Sequence, residues 1–314
     1  MAVASAGTVA APVAVQAGAD EIYASARVGV WYRDQNDTTN IAVRSFSSRF
    51  GARGETDLGN GMTGFGRYEW DVDFNNDTDG GGEDDISVRH RYVGLKGDFG
   101  SMLVGQTYHT FYNFAVGPTD IPWWHSGYAM VNYRGRTDNA VTYAGGSGAI
   151  AFGVSAYFDN DAEETEPDVI EAGLSFDIGD TTLGVALQNF GDDTITGGSY
   201  GTDDDILGIV WSGISFGSVS MGFGYQQQED DMSILAHVDI NNLYIHVEML
   251  SVDADSASSV SGDDEDKMAL TLGYTQSLGR KTTMYYEAFQ KDNDTGNSDD
   301  DMMHIMAVLK YDII

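Results

Sequence analysis

Apolar and polar side chains alternate along roughly sixteen segments of this chain, each about ten residues long, separated by Gly-, Asn- and Asp-rich stretches. In residues 22–32 and residues 267–274, for example, one face is apolar throughout. A strand points successive side chains to opposite faces, so each segment offers different surfaces to two different solvents. The pattern predicts an all-β fold, a transmembrane antiparallel β-barrel of about 16 strands, in which Leu270 faces lipid and Ala269 faces the lumen.

The composition agrees with a barrel and excludes several other classes of protein. The chain has 39 Gly and 4 Pro, which suits long paired strands because Pro removes a donor from the hydrogen-bond ladder. No apolar run reaches the length of about 18 residues that a transmembrane helix needs. A formal net charge of −33 argues strongly against a nucleic-acid partner. The lack of Cys excludes disulfides and thiolate chemistry.

The first residues predict export. Residues 1–17 are mostly small and apolar, and Val15-Gln16-Ala17 places small side chains where a signal peptidase needs them. We therefore expect a signal peptide over residues 1–17 and a single barrel domain over residues 18–314. A basic leading region is missing, which leaves two interpretations: a truncated signal peptide, or a true start upstream of Met1. The alternative is that residues 2–17 form a buried first strand, which Pro12 and the small side chains disfavour.

Tight turns and long acidic loops alternate between the predicted strands. Residues 58–61, 97–100 and 279–280 have the Gly and Asn content of hairpin turns. The pattern predicts a strict alternation, with short turns at one rim of the barrel and long loops at the other. Aromatic residues near the strand ends are predicted to form interfacial belts facing lipid; they are Tyr32, Trp70, Tyr92 and Tyr274.

One connection, from about His109 to Arg136, shows no clear alternation and contains Trp123 and Trp124 next to Pro122. A stretch of this length without regular structure is usually functional. In a barrel it can fold inward and narrow the lumen.

Several motifs resemble one family. Residues 48–58 and 62–70 resemble the second and third strands of the general diffusion porins of Gram-negative bacteria, and residues 91–97 and 99–106 resemble the fourth and fifth. Residues 119–122 stand where that family has its inward-folded third loop. The resemblance implies a homotrimer in the outer membrane, in contact with lipopolysaccharide and outer-membrane lipids. It implies passive passage of ions and small hydrophilic solutes, without a cofactor, a metal or enzymatic chemistry.

The resemblance also implies a pore constriction. By motif position, Arg49, Arg89 and Arg136 match the basic residues of the barrel wall, and Asp120 matches an acid on the facing loop; Arg134 competes with Arg136. Strand parity independently points Arg49 into the lumen, because Phe50 takes the apolar face. Opposed charges across a narrow site create a transverse field that hinders apolar solutes. Further candidates for the lumen are Arg53, Arg67, Glu69, Asp71, Trp123 and Trp124.

Selectivity is the open question. The 49 acidic residues outnumber 16 basic ones, which predicts cation preference at low salt, with Glu69, Asp71 and Asp73 on the lumen face. Trp123 and Trp124 support an alternative, a saccharide-selective channel, or they anchor the loop to the wall. An acidic secreted β-rich binding protein is the alternative outside the channel class. Acidic residues are too common for any carboxylate pair to indicate a glycosidase, so we predict no enzyme.

Overall fold

The computed structural model describes residues 20–35, 38–73, 86–130, 133, 135–158, 167–189, 206–253, 264–293 and 301–314. Residues 1–17, the expected signal peptide, lie outside these ranges. Most described residues belong to antiparallel strands. In chain order these are β1 (Glu21–Gln35), β2 (Thr38–Ser45), β3 (Ser48–Gly59), β4 (Met62–Val72), β5 (Ile86–Gly97), β6 (Gly100–Tyr108), β7 (Arg136–Thr137), β8 (Ala140–Ser147), β9 (Ile150–Tyr157), β10 (Val169–Ile178), β11 (Thr181–Asn189), β12 (Ile206–Phe216), β13 (Val219–Gln228), β14 (Asp231–Ile240), β15 (Leu243–Val252), β16 (Glu265–Gly279), β17 (Thr282–Asp292) and β18 (Met302–Asp312).

The strands close into a barrel because β1 pairs with β18. β2 and β3 pair with successive parts of β1, and so together they occupy one position in the wall. β7 and β8 likewise share the position beside β6. Left-handed backbone at Ser47 (φ 58°) and Asn139 (φ 54°) marks the two breaks. The described strands therefore occupy sixteen wall positions, as predicted. None of the helical structure in the described ranges has the length and apolar character needed to cross a bilayer.

The connections differ between the two rims. Within the described ranges, every connection on one rim contains two residues, as between β8 and β9 or between β16 and β17. The other rim carries the long loops, but only two residues join β1 to β2 and only two join β13 to β14. The predicted strict alternation is wrong at these two places. At the second of them, Glu229 adopts φ 47°, which allows a tight hairpin turn.

The two faces of the wall follow the predicted register. Leu270 is 41% exposed on the outside, whereas Ala269 is 3% exposed on the inside. Trp70 and Tyr274 also face outward, where Trp70 stacks on Phe50 and Tyr274 stacks on Tyr286.

Tyr92 corrects the predicted aromatic belt, because it faces the lumen. Its ring lies edge-on to His90 at 6.4 Å, while its neighbour Val93 is 63% exposed on the outside. The register between β4 and β5 shifts between Glu69 and Trp70. This β-bulge slips β5 by one residue, and a one-residue slip moves every following side chain to the other face.

The connection between β6 and β7 folds into the barrel, as predicted. It includes one π-helical turn, Tyr112–Val116, whose buried residues are Phe114, Ala115 and Val116. These side chains and Phe111 form an apolar core with wall residues such as Ala186 and Leu235. The barrel interior is therefore partly filled by its own loop.

Candidate functional site

A cavity of about 730 Å³ lies between the wall and the inward loop. Its lining brings together six of the residues predicted from the sequence, some on the barrel wall and some on the inward loop. These are Arg49, Arg89, Arg136, Asp120, Trp123 and Trp124, and Arg27 joins them.

Three arginines converge on one side of the cavity. Arg27 in β1, Arg49 in β3 and Arg89 in β5 all line it. Arg89 Nη1 donates to Ser47 Oγ at 3.0 Å, and Arg49 Nε donates to the same oxygen at 3.4 Å. One hydroxyl thus bridges two guanidinium groups and holds them side by side.

Glu69 lies behind the arginines and is 1% exposed. Its carboxylate accepts hydrogen bonds from Arg89 Nε at 3.1 Å and Arg67 Nη2 at 2.5 Å. Tyr23 Oη donates to it at 2.9 Å. Asp71 Oδ2 accepts from Arg89 Nη1 at 3.2 Å. Both acids offset the repulsion between the arginines. Neither is among the residues that line the cavity.

Arg27 is the functional candidate that the sequence reasoning missed. Its Nε donates to Ser25 Oγ at 3.3 Å, and its guanidinium carbon lies 6.0 Å from the ring centre of Trp123. The signal was present in the alternation of β1, where Arg27 shares the inward face with Ser25 and Trp31. The family motifs used for the other arginines begin after this strand.

Arg53 and Arg67 lie away from the cavity lining. They stand opposite each other on β3 and β4. Arg53 Nε donates to Glu21 Oε2 at 2.8 Å in an exposed pair. Arg67 is held by Glu69 and by Tyr23, whose hydroxyl it reaches at 2.9 Å. Of the two, only Arg67 touches the arginine cluster, through the shared carboxylate.

Arg136 and Asp120 are joined by two stacked tyrosines. Arg136 Nη1 donates to the Tyr108 hydroxyl at 3.0 Å. The rings of Tyr108 and Tyr112 stack at 3.7 Å, and the Tyr112 hydroxyl donates to Asp120 Oδ2 at 2.7 Å. Burial raises the pKa of Tyr112 well above its usual range, so the phenol stays protonated as the donor. Arg134, the competing candidate, lies outside the described residues.

The two tryptophans touch the wall and also line the cavity. Trp123 stacks on Tyr285 with ring centres 4.4 Å apart, and Trp124 meets Phe46 edge-on at 5.1 Å. Each indole therefore has one side against the barrel wall. This agrees with the interpretation that the tryptophans anchor the loop. The other side of each indole faces the cavity, where it can contact a solute.

A buried wall carboxylate holds the loop at these tryptophans. Glu287 in β17 accepts the backbone N–H of Trp123 at 2.5 Å, of Trp124 at 3.1 Å and of His125 at 3.1 Å. The Nδ1 atom of His125 lies 2.8 Å from the same group, and its Nε2 atom lies 3.1 Å from His304 Nδ1. His125 is therefore a hydrogen-bonding residue of the loop.

Two further carboxylates hold the loop on either side of this point. Glu248 in β15 accepts the backbone N–H of Gly127 at 2.6 Å and of Ala129 at 2.8 Å. Glu171 in β10 accepts the backbone N–H of Phe111 at 2.9 Å. All three side chains accept from main-chain amides, so the loop is fixed through its main chain. We call Glu171, Glu248 and Glu287 the wall carboxylates.

The wall opposite the π-helical turn is built from glycine. An added Cβ would lie 2.9 Å from the Phe114 ring at Gly153, and 2.6 Å from it at Gly173. At Gly208 it would lie 2.5 Å from Ala115. These inward glycines of β9, β10 and β12 form a glycine track, and their missing side chains leave room for the loop.

Comparison with known proteins is consistent with this architecture. A family model described as Gram-negative porin matches residues 2–296. A curated relative, the outer membrane protein YedS of Escherichia coli, is 25% identical over 224 residues, which are 68% of this chain. The matched region spans 56% of that relative's length.

Solved structures with the same fold have low sequence identity. An anion-selective porin from Comamonas acidovorans is 16% identical, with coverage of 94% of this chain and 99% of that chain at a TM-score of 0.69. Salmonella typhi OmpF, in complex with daunomycin, is 14% identical, with coverage of 93% and 97% at a TM-score of 0.71. A trimer form of OmpT from Vibrio cholerae is 15% identical, with coverage of 94% and 100% at 0.68.

Proposed function

The chain belongs to the Gram-negative porin family, and we propose that its barrel forms a water-filled channel for passive diffusion of ions and small hydrophilic solutes. Family and fold assign the protein to the outer membrane, which leaves no room for the alternative of a secreted binding protein. The observation that carries the proposal is the cavity that the arginines of the wall line together with Asp120 of the inward loop. Protein reconstituted in planar bilayers should give discrete conductance steps. A folded barrel without such steps would contradict the proposal.

We propose that Arg27, Arg49, Arg89 and Arg136 on one side and Asp120 on the other form the pore constriction. Ser47 accepts from Arg49 and Arg89, and Glu69 also accepts from Arg89. Arg27 donates to Ser25 and Arg136 donates to Tyr108, so the four guanidinium groups present fixed charge rather than mobile side chains. Fixed opposed charges order water across the opening and raise the barrier for apolar solutes. Transport of this kind needs no cofactor, metal or reaction.

We propose that the channel prefers cations at low salt. The chain carries 49 acidic and 16 basic residues, and many of the acids lie in runs between the strands. Glu69 and Asp71 are paired with arginines, so the negative field must come from the mouth rather than from the constriction. Such a field extends about one Debye length, roughly 10 Å at 0.1 M salt. Cation preference should fade as salt rises, because the basic constriction is then left to act alone. Anion preference at low salt, measured by reversal potential, would contradict this.

A second candidate is a saccharide-selective channel, favoured because Trp123 and Trp124 both line the cavity. Indole faces stack on sugar rings, but Tyr285 already covers one face of Trp123. A saccharide channel should show current block by linear oligosaccharides that Trp123→Ala weakens. Equal block in the two proteins would leave the general channel as the function.

We also propose a homotrimer whose remaining outer wall contacts lipopolysaccharide and other outer-membrane lipids. The similar OmpT barrel is a trimer, and the apolar outer wall here suits lipid contact. Chemical crosslinking of the reconstituted protein should trap a three-chain species.

A further inference from the structure

Two arginines lie on the inner wall between the cavity and the rim that carries the long loops. Arg33 shares the inward face of β1 with Arg27 and Trp31, and it is two residues from the end of the strand. Arg44 in β2 stands opposite Gly29 of β1, so it points to the same face. Both arginines are partly exposed, and on this face the exposure is to the lumen. A solute that enters from this rim therefore meets them before it reaches the cavity.

Both guanidinium groups lie against one indole. The guanidinium carbon of Arg44 is 4.4 Å from the ring centre of Trp31, and that of Arg33 is 5.7 Å from it. Trp31 is 8% exposed and packs edge-on to His304 at 4.9 Å, so the indole is held in place. Contact with a ring engages the flat face of a guanidinium and leaves the N–H groups at its edge to donate.

Most of these N–H groups are not used by the wall. Arg44 Nε donates to the backbone oxygen of Ser45 at 3.4 Å, and the four N–H groups of Nη1 and Nη2 remain. Among the described residues, neither Arg33 nor Arg44 forms an ion pair, whereas Arg89 in the constriction pairs with two carboxylates. Two like charges beside one indole repel each other, so they favour an anionic partner.

Trp124 of the inward loop continues this site toward the cavity. The guanidinium carbon of Arg44 is 5.9 Å from the ring centre of Trp124 and 5.6 Å from that of Phe46. Both aromatic residues line the cavity. A solute held at Arg44 therefore has a flat apolar surface beside it.

We propose that Arg44, together with Arg33 and Trp124, binds solutes that carry a carboxylate on a flat ring. The fork of the Arg44 guanidinium matches the two oxygens of a carboxylate, and Trp124 contacts the ring. Arg33 adds a second positive charge on the side of the rim. The inference rests on the proposed channel, in which this site holds such a solute just before the constriction. Because the contact is direct, it persists at salt concentrations that screen the field of the mouth.

Calorimetric titration of the folded protein in detergent measures this binding without a conducting channel. The probes are 2-naphthoate and 2-naphthalenemethanol, an uncharged molecule with the same ring system. We expect saturable binding of 2-naphthoate and about tenfold weaker binding of the alcohol, because the charged hydrogen bonds are lost. Equal binding of the two probes, or no binding of either, would overturn the proposal.

Substitutions distinguish this site from the constriction. Arg44→Gln should weaken 2-naphthoate binding about tenfold, because the bidentate contact is lost, and Arg33→Gln should weaken it about threefold. Arg53→Gln is the matched control and should change nothing, since Arg53 forms an exposed pair with Glu21 away from the cavity lining. If Arg27→Gln weakens binding and Arg44→Gln does not, the probe binds at the constriction and the proposed site is wrong.

Arg44→Lys separates the shape of the group from its charge. Lysine keeps the charge but has no fork, so we expect binding about fivefold weaker than in the wild type. Binding as tight as in the wild type would mean that charge alone attracts the probe, which contradicts the assigned contact. Heat-modifiable gel migration shows whether each variant is a folded barrel.

Conductance separates this inference from the proposed channel. Normal conductance steps in protein that does not bind 2-naphthoate would overturn the site and leave the channel intact. Saturable binding with the expected effect of Arg44→Gln, in protein without conductance steps, would overturn the channel and support the site.

Discussion

Adding one methyl group to the glycine track should move the constriction loop. At Gly173 a Cβ would lie 2.6 Å from Phe114 Cδ2 and 2.9 Å from Thr110 Cγ2. Carbon atoms rest at about 3.5–4.0 Å, so in Gly173→Ala the Phe114 ring has to retreat by about 1 Å. The wall cannot give way, because Gly173 is paired on both sides, with Gly153 and with Ala186. The loop must therefore shift toward the lumen.

We expect Gly173→Ala to lose about 1–3 kcal/mol of stability, the usual cost of overpacking, and to show lower single-channel conductance. The matched control is Gly64→Ala in β4, where the nearest atom would lie at 3.4 Å, an ordinary contact. Phe114→Ala in the Gly173→Ala background removes the closer of the two clashes, so conductance should return toward the wild-type value. Wild-type conductance and melting temperature in folded Gly173→Ala would refute the reasoning.

Three other substitutions test the remaining parts of the structure. Glu287→Gln keeps the shape but removes a charged acceptor from three backbone donors, which should cost about 1.5–3 kcal/mol and give noisier, larger channel currents; unchanged noise would mean that the loop is held elsewhere. Leu270→Arg should cost about 2–4 kcal/mol in a folding titration in lipid, whereas Leu270→Met should be neutral; Ala269 is no neutral comparator, because it is packed in the apolar core. Arg27→Gln should shift the reversal potential toward cations, and Arg53→Gln, outside the cavity lining, should not; equal shifts would contradict the assigned constriction.

The barrel itself was predictable, because alternation is repeated in every strand and errors in single strands average out. Leu270 and Ala269 fall on the predicted faces, and the strand count is correct. The bulge at Arg89 was not predictable, because one extra residue hardly alters the composition of β5. It nevertheless moves every later side chain of the strand to the opposite face of the sheet. The error on Tyr92 follows from that single residue.

The site was predictable only where a motif or strand parity singled out a residue. Arg49 was supported by both, and Arg27 had the same parity signal without a motif. The wall carboxylates are a different case, because Glu171, Glu248 and Glu287 are three acids among 49 acidic residues. Their role depends on which loop amides come to rest beside them, and that is decided by packing between residues 60 to 164 positions apart in the chain.

The way the wall carboxylates bind the loop has a consequence for how such a channel diversifies. Glu248 and Glu287 accept hydrogen bonds from main-chain amides, which every residue type except proline supplies. Side chains at Trp123 and Trp124 can therefore be exchanged without releasing the backbone that carries them. The main-chain amides of these residues hold the loop, whereas their side chains face the solute. The pore can therefore acquire a new solute preference by point mutation while its architecture stays unchanged.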